Sequence, residues 1–500
     1  MRFLLNLSIV SLWLLVLNPQ VYAQTGESFK GRPLSVAESS GYLRTATSQQ
    51  VFEYMESLGD LSSRATLTSI GTSLEGRSIH AMVLAKEGTN PLPLDKSDSR
   101  ITILILGGIH SGECDSKEAI LMLARNLLFE PEKLERYLEH CVLVFVPNFN
   151  TDGNERVGVM HRPGQSGPDG GMGIRENASG ADLNRDFVKL DTLEVRSLVR
   201  AIDVWDVDVL LDAHTTNGSL HQYDLTYDIP HNPAANPSMV KWLRMEFLPK
   251  VSADLLQVGL PTFYYGNFSA DHSRWESFGH EPRYSTEYMG LRGKMGILVE
   301  SYSYASYQRR IEATMLFIDA CLKQLAQQAT TVRNVIRDNP VTPKRVPIQA
   351  RIIGDEKKYS VNAYGWKENG PPPARSPQTP DSQPSEETRK SQDRGSQYPT
   401  PRDRNRLDDM VKRSFEVELW NVGQAEKLIV APKFYFIPFE NAWAASRLRM
   451  HGVELIELGA PSDDTSSISA TCYRVQSIKD LPEFQGRRPR KFYVVEEQTT

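Results

Sequence analysis

Cysteine is scarce in this chain: Cys114, Cys141, Cys321 and Cys472 are the four in 500 residues. Four sites allow three pairings, so the sequence admits zero to two disulfides and excludes a larger framework. The thiols read as mostly buried small hydrophobes. Excess charge of one sign is also missing. Lys and Arg total 57 against 62 Asp and Glu, a formal net charge of −5, and no basic cluster is dense enough to predict a nucleic-acid partner. Beyond the N-terminal run, no segment is apolar enough to span a bilayer. That run reads MRFLLNLSIVSLWLLVLNPQVYAQ. One arginine, an apolar stretch and Val21-Tyr22-Ala23 predict a signal peptide over 1–23, cleaved after Ala23. A secreted or periplasmic location with no remaining transmembrane anchor is therefore expected. No basic stop-transfer cluster follows the run, and no cysteine follows it to support a lipoprotein anchor. Asn177, Asn217 and Asn267 carry the Asn-x-Ser pattern, which matters only in a eukaryotic secretory pathway.

What is present is a set of short apolar runs that end in polar chemistry. ILILGGIHSGE, from Ile103 to Glu113, is a strand-like run closed by Gly107 and Gly108. It delivers His110 and Glu113 in H-x-x-E spacing, which lets one imidazole nitrogen and one carboxylate oxygen share a divalent ion. Alone, this four-residue pattern equally describes a polar turn after a buried strand. Three further elements follow: Asp182-Leu183-Asn184-Arg185-Asp186-Phe187, then Leu210-Leu211-Asp212-Ala213-His214, then Gly296-Ile297-Leu298-Val299-Glu300. The last two are apolar strands ending in His and Glu. A Glu after Ile-Leu-Val is poorly placed for a core, so it must be paired or functional.

With these four elements in order, residues 40 to 330 resemble the zinc carboxypeptidase family, the carboxypeptidase A-like metallopeptidases. The resemblance implies one Zn2+ per chain, held by His110, Glu113 and His214, with an open position for water. It implies that Glu300 is the general base, taking a proton from the activated water and passing it to the leaving amine. Asp182 then hydrogen-bonds the second nitrogen of the first His ligand. Asn184 and Arg185 grip the substrate's terminal carboxylate, a task suited to a planar guanidinium. Arg175 polarises the scissile carbonyl, with Arg162 a competing candidate in the same loop. The sequence departs from the digestive members in a long glycine-rich loop, GQSGPDGGMGIREN, before Asn184. The family's mobile tyrosine is matched loosely by Tyr288 among Tyr264, Tyr265, Tyr284 and Tyr288. An aromatic packed under a loop is the competing reading. Arg283 and Arg292 flank Tyr288 as candidate anchors for an anionic substrate.

Strands are predicted over 101–106, 141–147, 208–212 and 296–299, and helices over 116–128, 192–202, 237–256 and 307–327. This alternation predicts an α/β fold with helices on both faces of the sheet. The resemblance makes that sheet mixed, with the metal at strand C-terminal ends. Composition changes near Asn369. Residues 370–406 are rich in Pro, Ser, Gln and charge and predict a disordered insert. Around it, 340–500 reads as a smaller C-terminal region, β-rich and α/β. Strands are expected at 346–353, 414–419 and 427–430, with a helix near 441–450. His451 precedes a glycine at a helix end and reads as a capping or surface residue. The region is assigned to architecture or to docking a partner of unknown identity.

The function implied is a secreted metallocarboxypeptidase hydrolysing C-terminal bonds of a peptide or peptide-like substrate by zinc-activated water. Two alternatives stand. One is a zinc amidohydrolase, of the aspartoacylase and succinylglutamate desuccinylase branch or the murein-peptide amidase type. The other is an inactive carboxypeptidase-like binding protein.

Overall fold

The computed structural model describes residues 31–87, 92–94, 98–337, 345–367, 399, 401–457, 470–480 and 490–499, leaving aside the side chains of 337, 402, 470–475 and 490–499. The expected signal peptide, the 370–398 part of the insert and the Cys472 side chain lie outside the described residues.

Period-two alternation divides each central strand between two cores. In the run Ile103-Leu104-Ile105-Leu106, Ile103 and Ile105 pack into one hydrophobic cluster, and Leu104 and Leu106 into the other. Such two-faced burial is what a sheet covered by helices on both sides requires. Ten strands precede the C-terminal extension: β1 Ala65–Thr72, β2 Ser78–Leu84, β3 Ile101–Gly107, β4 Cys141–Val146, β5 Val209–Thr215, β6 Leu225–Asp228, β7 Thr262–Tyr264, β8 Asn267–Phe268, β9 Arg274–Glu276 and β10 Met295–Ser301. Eight of them form one mixed sheet in the order β1-β2-β4-β3-β5-β10-β6-β7. Its centre, β4-β3-β5-β10, is parallel. The expected mixed α/β architecture is therefore the observed one.

Five helices matter for the site: α1 Cys114–Leu128, α2 Leu193–Val204, α3 Ser285–Leu291, α4 Tyr307–Gln327 and α5 Ala442–Met450. The Thr192 and Ser306 hydroxyls cap α2 and α4 by accepting backbone N–H bonds. The helix expected over 237–256 is not continuous. Pro237–Trp242 and Leu248–Gln257 are α-helical, but Leu243–Phe247 forms a wider π turn between them. Pro249 has no N–H for the carbonyl four residues back, and a local π turn accommodates that loss. The sequence reading also omitted the antiparallel pair β1 and β2, whose register is interrupted by an irregularity between Ser69 and Gly71.

The sequence reading separates 340–500 from the catalytic region, whereas the chain divides into compact units at 452/453. The strands β11, Arg345–Trp366, and β12, Met410–Val430, form a long antiparallel pair. β12 also pairs in parallel with β9, through Glu418–Trp420 against Arg274–Glu276. Val361, Val417 and Leu419 share a core with Tyr223 and the fully buried Trp275. This hairpin is thus built into the unit that holds the site. No strand forms over 434–436 or 451–455. The second unit, Val453–Thr500, contains β13, Ala470–Asp480, antiparallel to β14, Arg490–Thr499.

Candidate functional site

His110 leaves the end of β3 through Gly108, whose φ of +68° suits glycine. Glu113 is the N-cap residue just before α1, and its N–H donates to His110 O at 2.9 Å. Gly112 between them is required by space. A Cβ there would meet Arg162 Cγ at 2.6 Å and Gly173 O at 2.7 Å. His214 arrives on β5, and Glu300 stands opposite it on β10.

These elements bring His110, Glu113 and His214 together, each buried, with one donor atom from each lying within 4.8 Å of the others. The two Nδ1 atoms face the Glu113 carboxylate: His110 Nδ1 is 3.1 Å from Oε1 and His214 Nδ1 is 2.9 Å from Oε2. The two Nε2 atoms point away to carboxylates. His110 Nε2 lies 3.0 Å from Asp182 Oδ1, and His214 Nε2 lies 2.9 Å from Asp212 Oδ2. An Nε2–H donated to a carboxylate leaves Nδ1 as the lone-pair donor, the state a metal ligand needs. The set of two imidazole nitrogens and one carboxylate fits zinc.

Charge balance follows this geometry. Burial opposes ionisation of Glu113, but His110 and Arg162 hold it well below the usual carboxylate range. Arg162 donates directly to Glu113 Oε1. Burial likewise opposes charge on His214, and Asp212 overcomes it, raising the imidazole well above its ordinary value. Asp182 is depressed despite burial, by His110 first and then Arg175. Glu300 moves the other way. Burial pushes it up to about 8, with His214 opposing and Glu113 and Asp212 reinforcing. Its Oε2 is buried without a hydrogen-bond partner among the described residues.

Arg175 is pinned by two bonds to Asp182 Oδ2, from Nε at 2.9 Å and Nη2 at 2.6 Å. Its Nη1 reaches to 3.3 Å from His110 Nδ1. Arg162 and Arg175 thus both converge on the donor cluster. Asn184 is held through Oδ1, which accepts the Ser285 N–H at 2.9 Å. Arg185 stacks on Tyr284, 4.5 Å from the ring centroid, and donates to Asn184 O at 2.7 Å. Burial lowers its pKa.

Tyr288 is placed elsewhere. Its ring packs on Phe187 and its hydroxyl meets His451 Nδ1 at 2.9 Å, within the core beneath α3. The tyrosine near the cluster is Tyr265, whose phenol, raised first by burial, also senses Glu300, Glu113, Arg185 and Arg175. No local signal distinguishes Tyr265 from Tyr264 in the sequence. Asp212 was also missed, although its i, i+2 spacing to His214 on a strand puts both on one face.

Beneath the cluster, Asp115 ties the three site elements together. It accepts from Thr215 Oγ1 at 2.8 Å, Ser301 Oγ at 2.6 Å and Arg310 Nε at 3.1 Å. Thr215 follows His214, Ser301 follows Glu300, and Asp115 lies two residues after Glu113. Cys114, Cys141 and Cys321 are buried free thiols.

Residues 51–242 match the family profile described as zinc carboxypeptidase. Carboxypeptidase D of Mus musculus is 33% identical over 182 residues, covering 31% of this chain and 12% of that protein. An inactive metallocarboxypeptidase of Arthroderma gypseum is 35% identical over 95 residues, covering 18% of this chain and 16% of that protein. The chain therefore spans a small part of the length of these relatives. Among solved structures, a metallo-carboxypeptidase from Burkholderia cenocepacia aligns with a TM-score of 0.42 and 16% identity, over 57% of this chain and 70% of that one. No helix among the described residues is long and apolar enough to cross a membrane.

Proposed function

We propose that this chain, whose residues 51–242 match the zinc carboxypeptidase family profile, is an exported, zinc-dependent metallocarboxypeptidase removing C-terminal residues from peptides. The observation that carries this reading is the convergence of three buried metal donors, His110, Glu113 and His214, beside Glu300 with its unpartnered Oε2. An inactive binding protein has no need of a buried carboxyl kept without a partner, because such a group costs stability.

His110, Glu113 and His214 would hold one zinc ion. When bound, it supplies Lewis-acid polarisation of the reacting groups. Asp182 and Asp212 keep the two imidazoles oriented by accepting their Nε2 protons. Glu300 Oε2 takes the proton from the attacking water and delivers it to the leaving amine. Arg175, fixed by Asp182, presents Nη1 to the scissile carbonyl oxygen and stabilises its developing charge. Arg185 binds the terminal carboxylate, while Asn184, tied to Ser285, holds the wall on which Arg185 stands. Water exclusion comes from the burial of the donor set.

A peptide-library digest read by mass spectrometry tests the proposal. Single-residue losses from the C-terminus are expected. Cleavage only at internal bonds, or only of N-acyl amino acids, overturns it.

A further inference from the structure

His451 is the C-cap of α5, 151 residues beyond Glu300, and the proposed chemistry does not use it. Its ring is nevertheless fully engaged. Nε2 lies 2.9 Å from the carbonyl oxygen of Val188, so Nε2 carries the proton and donates it. Nδ1 is then an acceptor, and the Tyr288 hydroxyl donates to it at 2.9 Å. One neutral tautomer satisfies both contacts. Burial holds the imidazole below its ordinary pKa, which agrees with that neutral form.

The two partners belong to the two walls of the anion pocket. Val188 is three residues beyond Arg185. Tyr288 lies in α3, whose first residue, Ser285, holds Asn184 Oδ1 through its N–H. The walls also meet through Phe187, whose N–H reaches Arg283 O at 3.4 Å and whose ring packs 5.6 Å from that of Tyr288. More of the extension grips the same segment. Arg447 donates to Leu190 O and to Asp191 Oδ1, and Arg292 donates to His451 O. The segment needs holding, because Leu190 adopts φ of +52°, the left-handed region that a leucine rarely occupies.

We propose that His451 is a positioning residue that bridges the wall carrying Arg185 to the wall carrying Tyr284 and Ser285, so that the C-terminal extension sets the affinity of the pocket for the substrate's terminal carboxylate. This rests on the proposed carboxypeptidase activity for its kinetic readout and on the geometry alone for its structural one. Loss of the bridge loosens the pocket without touching the donor cluster or Glu300.

The test uses the full chain with three substitutions: His451→Ala, His451→Gln and Tyr288→Phe. His451→Ala should raise KM for a free C-terminal peptide about tenfold, as two lost hydrogen bonds predict. Its kcat should stay within about threefold, the signature of lost binding. Hydrogen exchange read by mass spectrometry should quicken about tenfold over 186–192 and 284–292, with β3, β5 and β10 unchanged. Glutamine can donate to Val188 O and accept from Tyr288, so His451→Gln should restore most of both readouts. Tyr288→Phe removes one of the two bonds and should give a smaller rise in KM. If His451→Ala does not fold, the Gln and Phe substitutions carry the comparison. Unchanged KM and exchange in His451→Ala, or in Tyr288→Phe where that variant stands alone, overturn the proposal. So does a joint loss of kcat with faster exchange across the whole sheet, which marks a general structural role. If the wild type cleaves no peptide, the functional reading fails, and exchange by itself decides the bridge.

Discussion

Glu300 stands directly opposite His214 in the parallel register of β10 on β5. The proposed proton-transfer group and a candidate metal donor are thus fixed to each other by backbone pairing, without a loop between them. Rigid strands hold such constellations more tightly than loops do. Replacing Glu300 by Gln should keep zinc and fold but lower kcat by about 10²–10⁴, because the near-isosteric amide cannot shuttle the proton. A variant within a few-fold of wild-type kcat removes Glu300 from the mechanism.

His214→Ala deletes one of three donors, so metal analysis of the purified variant should show most of the zinc gone. Asp212→Asn is the subtler change. It leaves all three donors but weakens the partner of His214 Nε2, and zinc affinity should fall about 10–100-fold in competition with a chromophoric chelator. Wild-type zinc content in His214→Ala would contradict the ligand assignment.

Arg185 predicts a requirement for a free C-terminal carboxylate. Amidating the peptide removes the anion and leaves a confined guanidinium without its bidentate partner, a penalty of several kcal/mol. The free acid should therefore be cleaved much faster than the amide, and Arg185→Ala should shrink that difference. Equal rates for both peptides would sink the exopeptidase reading.

Asp115 and Arg310 form an ion pair with both side chains fully buried. Asp115→Ala leaves the buried guanidinium without its carboxylate and two hydroxyls without this acceptor, at a cost of about 3–5 kcal/mol. Urea denaturation should show a clearly lower midpoint. A midpoint matching the wild type would mean that water replaces the carboxylate there.

The candidate site was legible because each of its residues follows or ends a short apolar run: the candidate donors His110 and Glu113 after 101–107 and His214 within 209–215, and the proposed base Glu300 within 295–301. Strand periodicity, glycine turns and polar endings are all local, so they can be read in one dimension. Tyr288 shows where that stops. It lies one helical turn beyond Tyr284 and twelve residues before Glu300, yet its hydroxyl serves His451. Spacing along the chain does not say which side of α3 faces the pocket; the packing of α3 on Phe187 does.

The sequence by itself determined the α/β class, the order of the central elements and the residues able to bind metal, because burial pattern and side-chain chemistry are written residue by residue. Only the tertiary structure decided the rest. It joined Val188 to His451 across 263 positions, put Tyr265 near Glu300, and built the β11–β12 hairpin onto β9. These are contacts between segments whose local sequences carry no trace of one another. The choice among them is made by which surfaces close without leaving a buried polar group unpaired.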